Sequence, residues 1–174
     1  MELLDALKKR RSIRRYTEEA VSDEALQKVL EAGLLSPSGR SIRPWELIVV
    51  RDRETLKKMA ECRTGAAQML ANASAGIVVL GDEEKSDVWV EDCSIVMAYM
   101  HLMADSLGLG SCWIQGRLRE APGGESTEEY LRSLLGYPEG MRLEAILSLG
   151  MPAVHPEGRA LSEVPETKLH YEKY

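Results

Sequence analysis

The sequence predicts a layered α+β fold in a single domain, and three observations carry that expectation. Helical and strand patterns alternate, but at irregular intervals and with several helices in succession, which disfavours a regular doubly wound sheet. Four short apolar runs bounded by turn residues, Leu47–Val50, Gly76–Gly81, Ser111–Ile114 and Leu143–Gly150, have the length of buried strands. One long helical stretch is apolar nearly all round from Cys93 to Ala104, as a helix in the centre of a fold or across a subunit interface would be. No internal repeat, low-complexity segment or interdomain linker divides the 174 residues.

Leu3, Leu4 and Leu7 mark one face of a short first helix ending at Lys9. Ser22 is placed to cap a second, with Ala25, Leu26, Val29 and Leu30 at helical spacing up to Leu34, where Ser36-Pro37-Ser38-Gly39 breaks it. Asp52 caps a third helix through Cys62, and a short fourth covers Ala66 to Leu70. The long helix runs from Ser86 to Leu107 and stops at Gly108. Ser126-Thr127-Glu128-Glu129 is a capping box opening a helix that ends at Gly136. From Met151 to Tyr174 no period is visible, and the tail is expected to be an extended arm.

A formal net charge of −6 and a pI near 5.2 argue against a nucleic-acid surface. Cys62, Cys93 and Cys112 are odd in number and have no second ligand at metal spacing, which argues against both a zinc site and a disulfide framework. No apolar leader or membrane-length run is present, which points to the cytoplasm. Phe is absent altogether.

Against this acidic background, Arg10-Arg11-Ser12-Ile13-Arg14-Arg15-Tyr16 concentrates four arginines and a hydroxyl between two helices. Planar guanidinium forks suit a phosphate, so one reading is a phosphate clamp for a cofactor. The other is a solvated basic run that complements the C-terminal end of the first helix. The remainder of the chain offers no hydrolytic machinery. His101 lies in the apolar helix and reads as a core histidine rather than a base, and Cys112 reads as a small buried residue. Glu83-Glu84 and Glu128-Glu129 read as solvated helix ends, and Gly108-Leu109-Gly110 lies in the wrong order for a dinucleotide fingerprint. A clamp without nucleophile or metal leaves the chemistry to a bound cofactor.

Four ordered stretches give the chain a family resemblance. Arg10-Arg11-Ser12-Ile13-Arg14 resembles the N-terminal signature of the FMN-dependent nitroreductases. Ser36-Pro37-Ser38-Gly39-Arg40-Ser41-Ile42-Arg43-Pro44-Trp45 is similar to their Pro-Ser-x-x-Asn-x-Gln-Pro-Trp loop, with Ser41 replacing the Asn and Arg43 the Gln. Gly108 to Gly116 resembles their Gly-Leu-Gly-x-x-Trp strand, and Leu149-Gly150-Met151-Pro152 their Gly-Tyr-Pro strand end. The resemblance implies a three-layer fold with a central, mostly antiparallel sheet flanked by helices, in an intertwined homodimer. It implies that Arg10, Ser12 and Arg14, with Arg11 alongside, hold the FMN phosphate and pyrimidine edge. Pro37, Ser38, Gly39 and Ser41 would reach the flavin of the other subunit, and backbone N–H groups near Gln115 and Gly116 would approach N5 and O4. Arg159 would complete the phosphate site from the tail, which would pack on the partner subunit. An Asn that relatives place before the second strand has no counterpart near Gly65.

The implied reaction passes hydride from NADH or NADPH through flavin N5 to a nitroaromatic, quinone or similar small-molecule acceptor. The alternatives are a flavin-fragmenting or dehalogenating relative and a non-catalytic flavin-binding protein. Larger relatives insert a helical excursion over the flavin. Here only Asp82 to Ser86 separates strand from long helix, so a shallow pocket with weak discrimination among flat acceptors is expected.

Overall fold

The structure, a computed structural model, describes residues 3–174. Its helices are α1 (Leu3–Lys9), α2 (Asp23–Leu34), α3 (Arg53–Met59), α4 (Trp89–Ser106) and α5 (Thr127–Leu135). Its strands are β1 (Trp45–Val50), β2 (Ala75–Asp82), β3 (Gly110–Gln115) and β4 (Met141–Gly150). The strands form one sheet in the order β1-β2-β4-β3, antiparallel at every pairing. With helices on both faces, this is the three-layer α+β arrangement around an antiparallel sheet that the resemblance implies.

The central strands carry core on both faces. Ala75, Ile77 and Val79 of β2 join Ala145, Leu147 and Leu149 of β4 under α2 and α4. Val78 and Leu80 join Leu143 and Ile146 on the opposite face with Leu56 and Met59 of α3 and Leu131 of α5. Burial on both faces explains why these strands read as continuous apolar runs rather than alternating ones. Val79 pairs with Ala145 and Leu80 with Leu143, so Glu144 is an extra residue at a bulge in β4.

Local capping follows the sequence. Ser22 Oγ accepts from the Ala25 N–H at 3.2 Å, and Asp52 from the Thr55 N–H at 2.8 Å. Ser126 and Glu129 bond reciprocally, each accepting the other's N–H at 3.1 Å. Gly136 ends α5 at φ 74°, in the left-handed region where glycine avoids a Cβ clash.

Several boundaries differ from expectation, each for a local reason. The third helix stops at Met59, not Cys62, because the chain tightens into i→i+3 bonds, Glu61 N to Lys58 O and Cys62 N to Met59 O. The short fourth helix is a 3-10 turn over Gln68–Asn72. The long helix begins at Trp89 rather than Ser86, since the Ser86 hydroxyl takes the Val88 N–H in a turn of its own. β1 and β4 each start two residues earlier than their apolar runs, drawn into register by Gly81 and Asp82 of β2.

The tail is extended where it follows the N-terminal motif. Met151 O accepts from Thr17 N, Ala153 N donates to Arg15 O and Arg159 N to Lys8 O, all at 2.9–3.0 Å. Two 3-10 turns, Leu161–Glu163 and Glu166–Lys168, interrupt it further on, and everything from Ala153 to Tyr174 is exposed. No helix of the described residues is long and apolar enough to cross a membrane.

Gly81 lets the start of α4 settle on the β1–β2 edge. A Cβ there would stand 2.6 Å from the Trp89 ring and 2.9 Å from Cys93 Sγ. A rigid indole cannot yield, so Gly81→Ala should cost about 1–3 kcal/mol by overpacking. Urea unfolding measures it, and an unchanged midpoint would contradict the close approach.

Candidate functional site

The arginine motif is held in place by its one apolar residue. Ile13 is 2% exposed, its N–H donates to Ser111 O at 2.9 Å, and its side chain fills the space that Gly110 leaves by having no Cβ. Ser12 and Ser111 thereby form a parallel bridge that adds the motif to the outer edge of β3. Tyr16 closes the segment: its hydroxyl donates to Ile13 O at 2.8 Å and lies 2.7 Å from Ser148 Oγ, and burial pushes its pKa well above the usual phenol value.

With Ile13 turned inward, its neighbours turn outward. Arg10, Arg11, Ser12 and Arg14 line one cleft of about 470 Å³ together with Leu7, Pro156 and Arg159. The tail supplies Arg159 through its N–H bond to Lys8 O, and neighbouring Gly158 has no room for a side chain, a Cβ there lying 3.0 Å from that carbonyl. His155 Nε2 meets Asp105 Oδ1 at 3.0 Å and ties the tail to α4 on the way. Among the described residues, no acidic side chain lines this cleft. The predicted clamp residues are thus brought together in one chain.

The four arginines are not equivalent. Arg11 Nη1 donates to Lys8 O at 3.2 Å and Arg10 O at 2.7 Å, complementing the end of α1 as the alternative sequence reading held. Arg10 Nη1 donates to His101 Nε2 at 2.7 Å. Among the described residues, Arg14 and Arg159 have no side-chain hydrogen-bond partner, so their forks remain available.

A second cleft of about 450 Å³ adjoins through Arg14, lined also by Arg63, Gly65, Ala66, Gln68, Met69, Cys112 and Trp113. Its wall is the free edge of β3. Ser111 O bonds outward to Ile13, and Gln115 O bonds outward to Arg63 Nη1 at 3.1 Å. Antiparallel alternation then turns the Trp113 and Gln115 N–H groups outward as well, away from β4. The two donors expected near this edge therefore differ. Gln115 N–H faces out, whereas Gly116 N and Arg117 N share Glu144 O at 3.2 and 2.9 Å.

The Pro37, Ser38, Gly39 and Ser41 loop does not join these clefts in the same chain. Gly39 N donates to Asp92 Oδ1 at 2.8 Å, Ser38 Oγ accepts from Arg43 N at 2.9 Å, and Arg40 pairs with Asp87. The loop is thus moored nine residues before His101 on α4, about 13 Å along the axis at 1.5 Å per residue. Arg40, Ser41 and Arg43 all have φ between 51° and 55°, a left-handed conformation costing roughly 1–2 kcal/mol for each non-glycine residue. Strain of that kind persists only where surrounding contacts enforce it, and it concentrates at functional sites.

Several site residues escaped the sequence reading: Arg63, Gln68, Asp92 and Glu144. Glu144 left a signal, a charge inside an apolar strand run. It is 3% exposed, its Oε1 lies 3.5 Å from Ser94 Oγ and 3.4 Å from Gln115 Nε2, and its Oε2 has no partner among the described residues. Burial holds this carboxyl above the usual carboxylate range, opposed by the Gln115 bond and Arg117. Among the described residues no group of His, Cys, Asp or Glu could hold a metal ion, and the three cysteines are free and buried.

The profile of the nitroreductase family matches residues 7–62 and 59–151, which takes in the whole lining of the second cleft and that of the first except Pro156 and Arg159. The chain belongs to this nitroreductase family. A provisionally named NADH dehydrogenase/NAD(P)H nitroreductase of Archaeoglobus fulgidus is 45% identical over 155 residues, 87% of this chain and 86% of its own. An FMN-dependent nitroreductase of Clostridium difficile R20291 superposes with a TM-score of 0.95 at 42% identity, over 98% of this chain and 99% of its own. A provisionally named nitroreductase of Desulfovibrio desulfuricans, solved in complex with FMN, superposes with a TM-score of 0.77 at 30% identity, over 100% and 98%.

Glu144 gives the site a pH signature. Its pKa is raised in the folded nitroreductase, so ionisation disfavours folding, and the penalty grows as pH rises above the ordinary 4.5. Glu144→Gln removes the charge. Its stability relative to the parent should therefore increase with pH above 4.5, by at most ~1.4 kcal/mol per pH unit until the raised pKa is passed. Thermal melts of both proteins at pH 4.5 and pH 8 test this, and a gap that shrinks with pH would contradict it.

Proposed function

We propose that this nitroreductase-family chain is an FMN-dependent NAD(P)H oxidoreductase working as a homodimer on small, flat oxidised acceptors such as nitroaromatics and quinones. The observation that carries the reading is the pair of clefts joined at Arg14. One collects Arg10, Arg11, Ser12, Arg14 and Arg159 with no acid among the described residues, and the other runs along the open edge of β3. A terminal phosphate suits the first, since charge-assisted bonds from arginine forks each contribute about 1.5–3 kcal/mol. A planar ring with acceptor atoms along one side suits the second.

The residues present fit FMN, and each has a definite part in this reading. Arg10, Ser12, Arg14 and Arg159 hold the phosphate, and Arg14 spans from phosphate to ring. The outward Gln115 N–H would be a donor for the acceptor atoms along the ring's edge. Arg63, steadied on the Gln115 carbonyl, places a positive charge beside it. Bound FMN would supply the two-electron transfer between a reduced nicotinamide and the oxidised acceptor.

A second copy of the chain accounts for the rest. α4 leaves Tyr99 exposed beside an apolar groove of about 450 Å³ lined by Leu3, Ala6, Ala32, Leu102 and Met103, and Leu4, Leu7, Leu34 and Leu35 are exposed as well. Uncovered apolar surface on that scale favours association. Dimerisation across this face would bring Pro37, Ser38, Gly39 and Ser41 of one subunit to the clefts of the other, with the exposed tail wrapping the partner.

The purified protein should carry flavin absorbance, oxidise NADH or NADPH with menadione or nitrofurazone, and scatter light as a dimer. Arg10→Ala/Arg14→Ala should lose most of its FMN, and unchanged FMN content would refute the phosphate assignment. No excursion covers the ring cleft, since only a turn at Asp82–Lys85 and a further turn through Val88 precede α4. Quinones and nitroaromatics should accordingly be used with similar efficiency, and preference for a single acceptor by several orders of magnitude would overturn the open-site reading.

A further inference from the structure

His101 is a buried histidine on α4 that the reaction does not call on, yet both its ring nitrogens are engaged at the clamp. Nε2 lies 2.7 Å from Arg10 Nη1 and Nδ1 lies 2.5 Å from Ser111 Oγ. A guanidinium can only donate, so Nε2 accepts and carries no proton. Nδ1 then holds the ring proton and donates it to Ser111 Oγ. The tautomer is fixed by its neighbours.

We propose that His101 is a positioning residue, a neutral acceptor that aims the Arg10 guanidinium into the phosphate cleft without cancelling its charge. The choice of an imidazole is what gives the arrangement its point. A carboxylate at this place would also orient Arg10, but it would form an ion pair with it and compete with the incoming anion. Imidazole occupies one donor and leaves the full positive charge, with the remaining donors, for the ligand. The charged groups facing the ring are Arg10 from the N-terminal motif and Asp105 one turn along α4. Burial, with Arg10 assisting and Asp105 opposing, holds the imidazole pKa down at about 4, so the acceptor stays neutral at ordinary pH. Ser111 completes the chain of contacts. Its carbonyl accepts from Ile13 N, so the residue that fixes His101 also fixes the motif to β3.

This inference rests on the reading of the Arg10 cleft as a phosphate site, and the test separates the two. The readout is the ratio of FMN to riboflavin affinity in the full-length protein, because the two ligands differ only in the phosphate and a general loss of packing lowers both together. His101→Leu should lower that ratio about tenfold or more. His101→Gln keeps an uncharged acceptor near Nε2 and should retain most of it. His101→Glu should lose it, through the ion pair with Arg10. If the leucine variant does not fold, the Gln and Glu variants decide between them. Arg10→Ala should lower the ratio as well, and adding His101→Leu to it should lower it no further. A ratio unchanged in Arg10→Ala would remove the phosphate reading itself. A ratio lowered in Arg10→Ala but unchanged in His101→Leu, or equal in the Gln and Glu variants, would overturn the role of His101 alone. Nitrogen chemical shifts of the ring should report a proton on Nδ1, and one on Nε2 would overturn it equally.

Discussion

The site depends on one joint, the docking of Ile13 against the outer edge of β3. A sheet edge is a row of unsatisfied backbone groups, and a fold must cover it or use it. Here Ile13 N–H satisfies Ser111 O and the Ile13 side chain fills the gap over Gly110, so the edge is covered at its start. Two and four residues further on, the Trp113 and Gln115 N–H groups stay open, while Arg63 takes the Gln115 carbonyl. The same strand thus anchors the arginines and offers the backbone donors beside them. The distance between clamp and open edge is set by strand geometry rather than by a flexible loop.

Electrostatics then explains why an acidic chain can keep so many arginines in one cleft. Each is disposed differently. Arg11 is occupied by the carbonyls that end α1, and Arg10 is bonded to a neutral imidazole. Arg14 and Arg159 face the cleft without a partner among the described residues. Among the described residues none is matched by a carboxylate, although the chain carries 28 acidic residues to 22 basic ones. Glu83 and Glu128 pair with Arg142 and Asp87 with Arg40, well removed from the clamp. The clamp's field is therefore available to an anionic ligand.

α4 relates the parts to one another. Its apolar inner face builds the core under the sheet, Asp92 near its start holds the strained Ser38–Arg43 loop, and His101 two and a half turns later holds Arg10. One rigid rod therefore sets the separation between loop and clamp. In a single chain that separation keeps them apart, which accords with a site assembled by two copies.

The sequence by itself determined the layers, the caps and the arginine motif, because these depend on residues close in the chain. The Ser126–Glu129 box, the glycine stops and the doubly buried strands follow from spacing and from rules that act within a turn or a strand. The motif was legible as a concentration of charge; Arg11 serves the helix end, as one reading of it had it, while Arg10, Ser12 and Arg14 line the cleft that the other reading would need. What only the tertiary structure decided was pairing across the chain. Nothing near Arg10 in sequence announces His101, 91 residues away, and nothing marks Gln115 N–H as free while Gly116 N–H is spent. Glu144 could be noticed as a charge in an apolar strand, but not placed at a bulge beside Gln115. These outcomes hang on strand register and on which edge stays open, and those are fixed only when the whole sheet has packed.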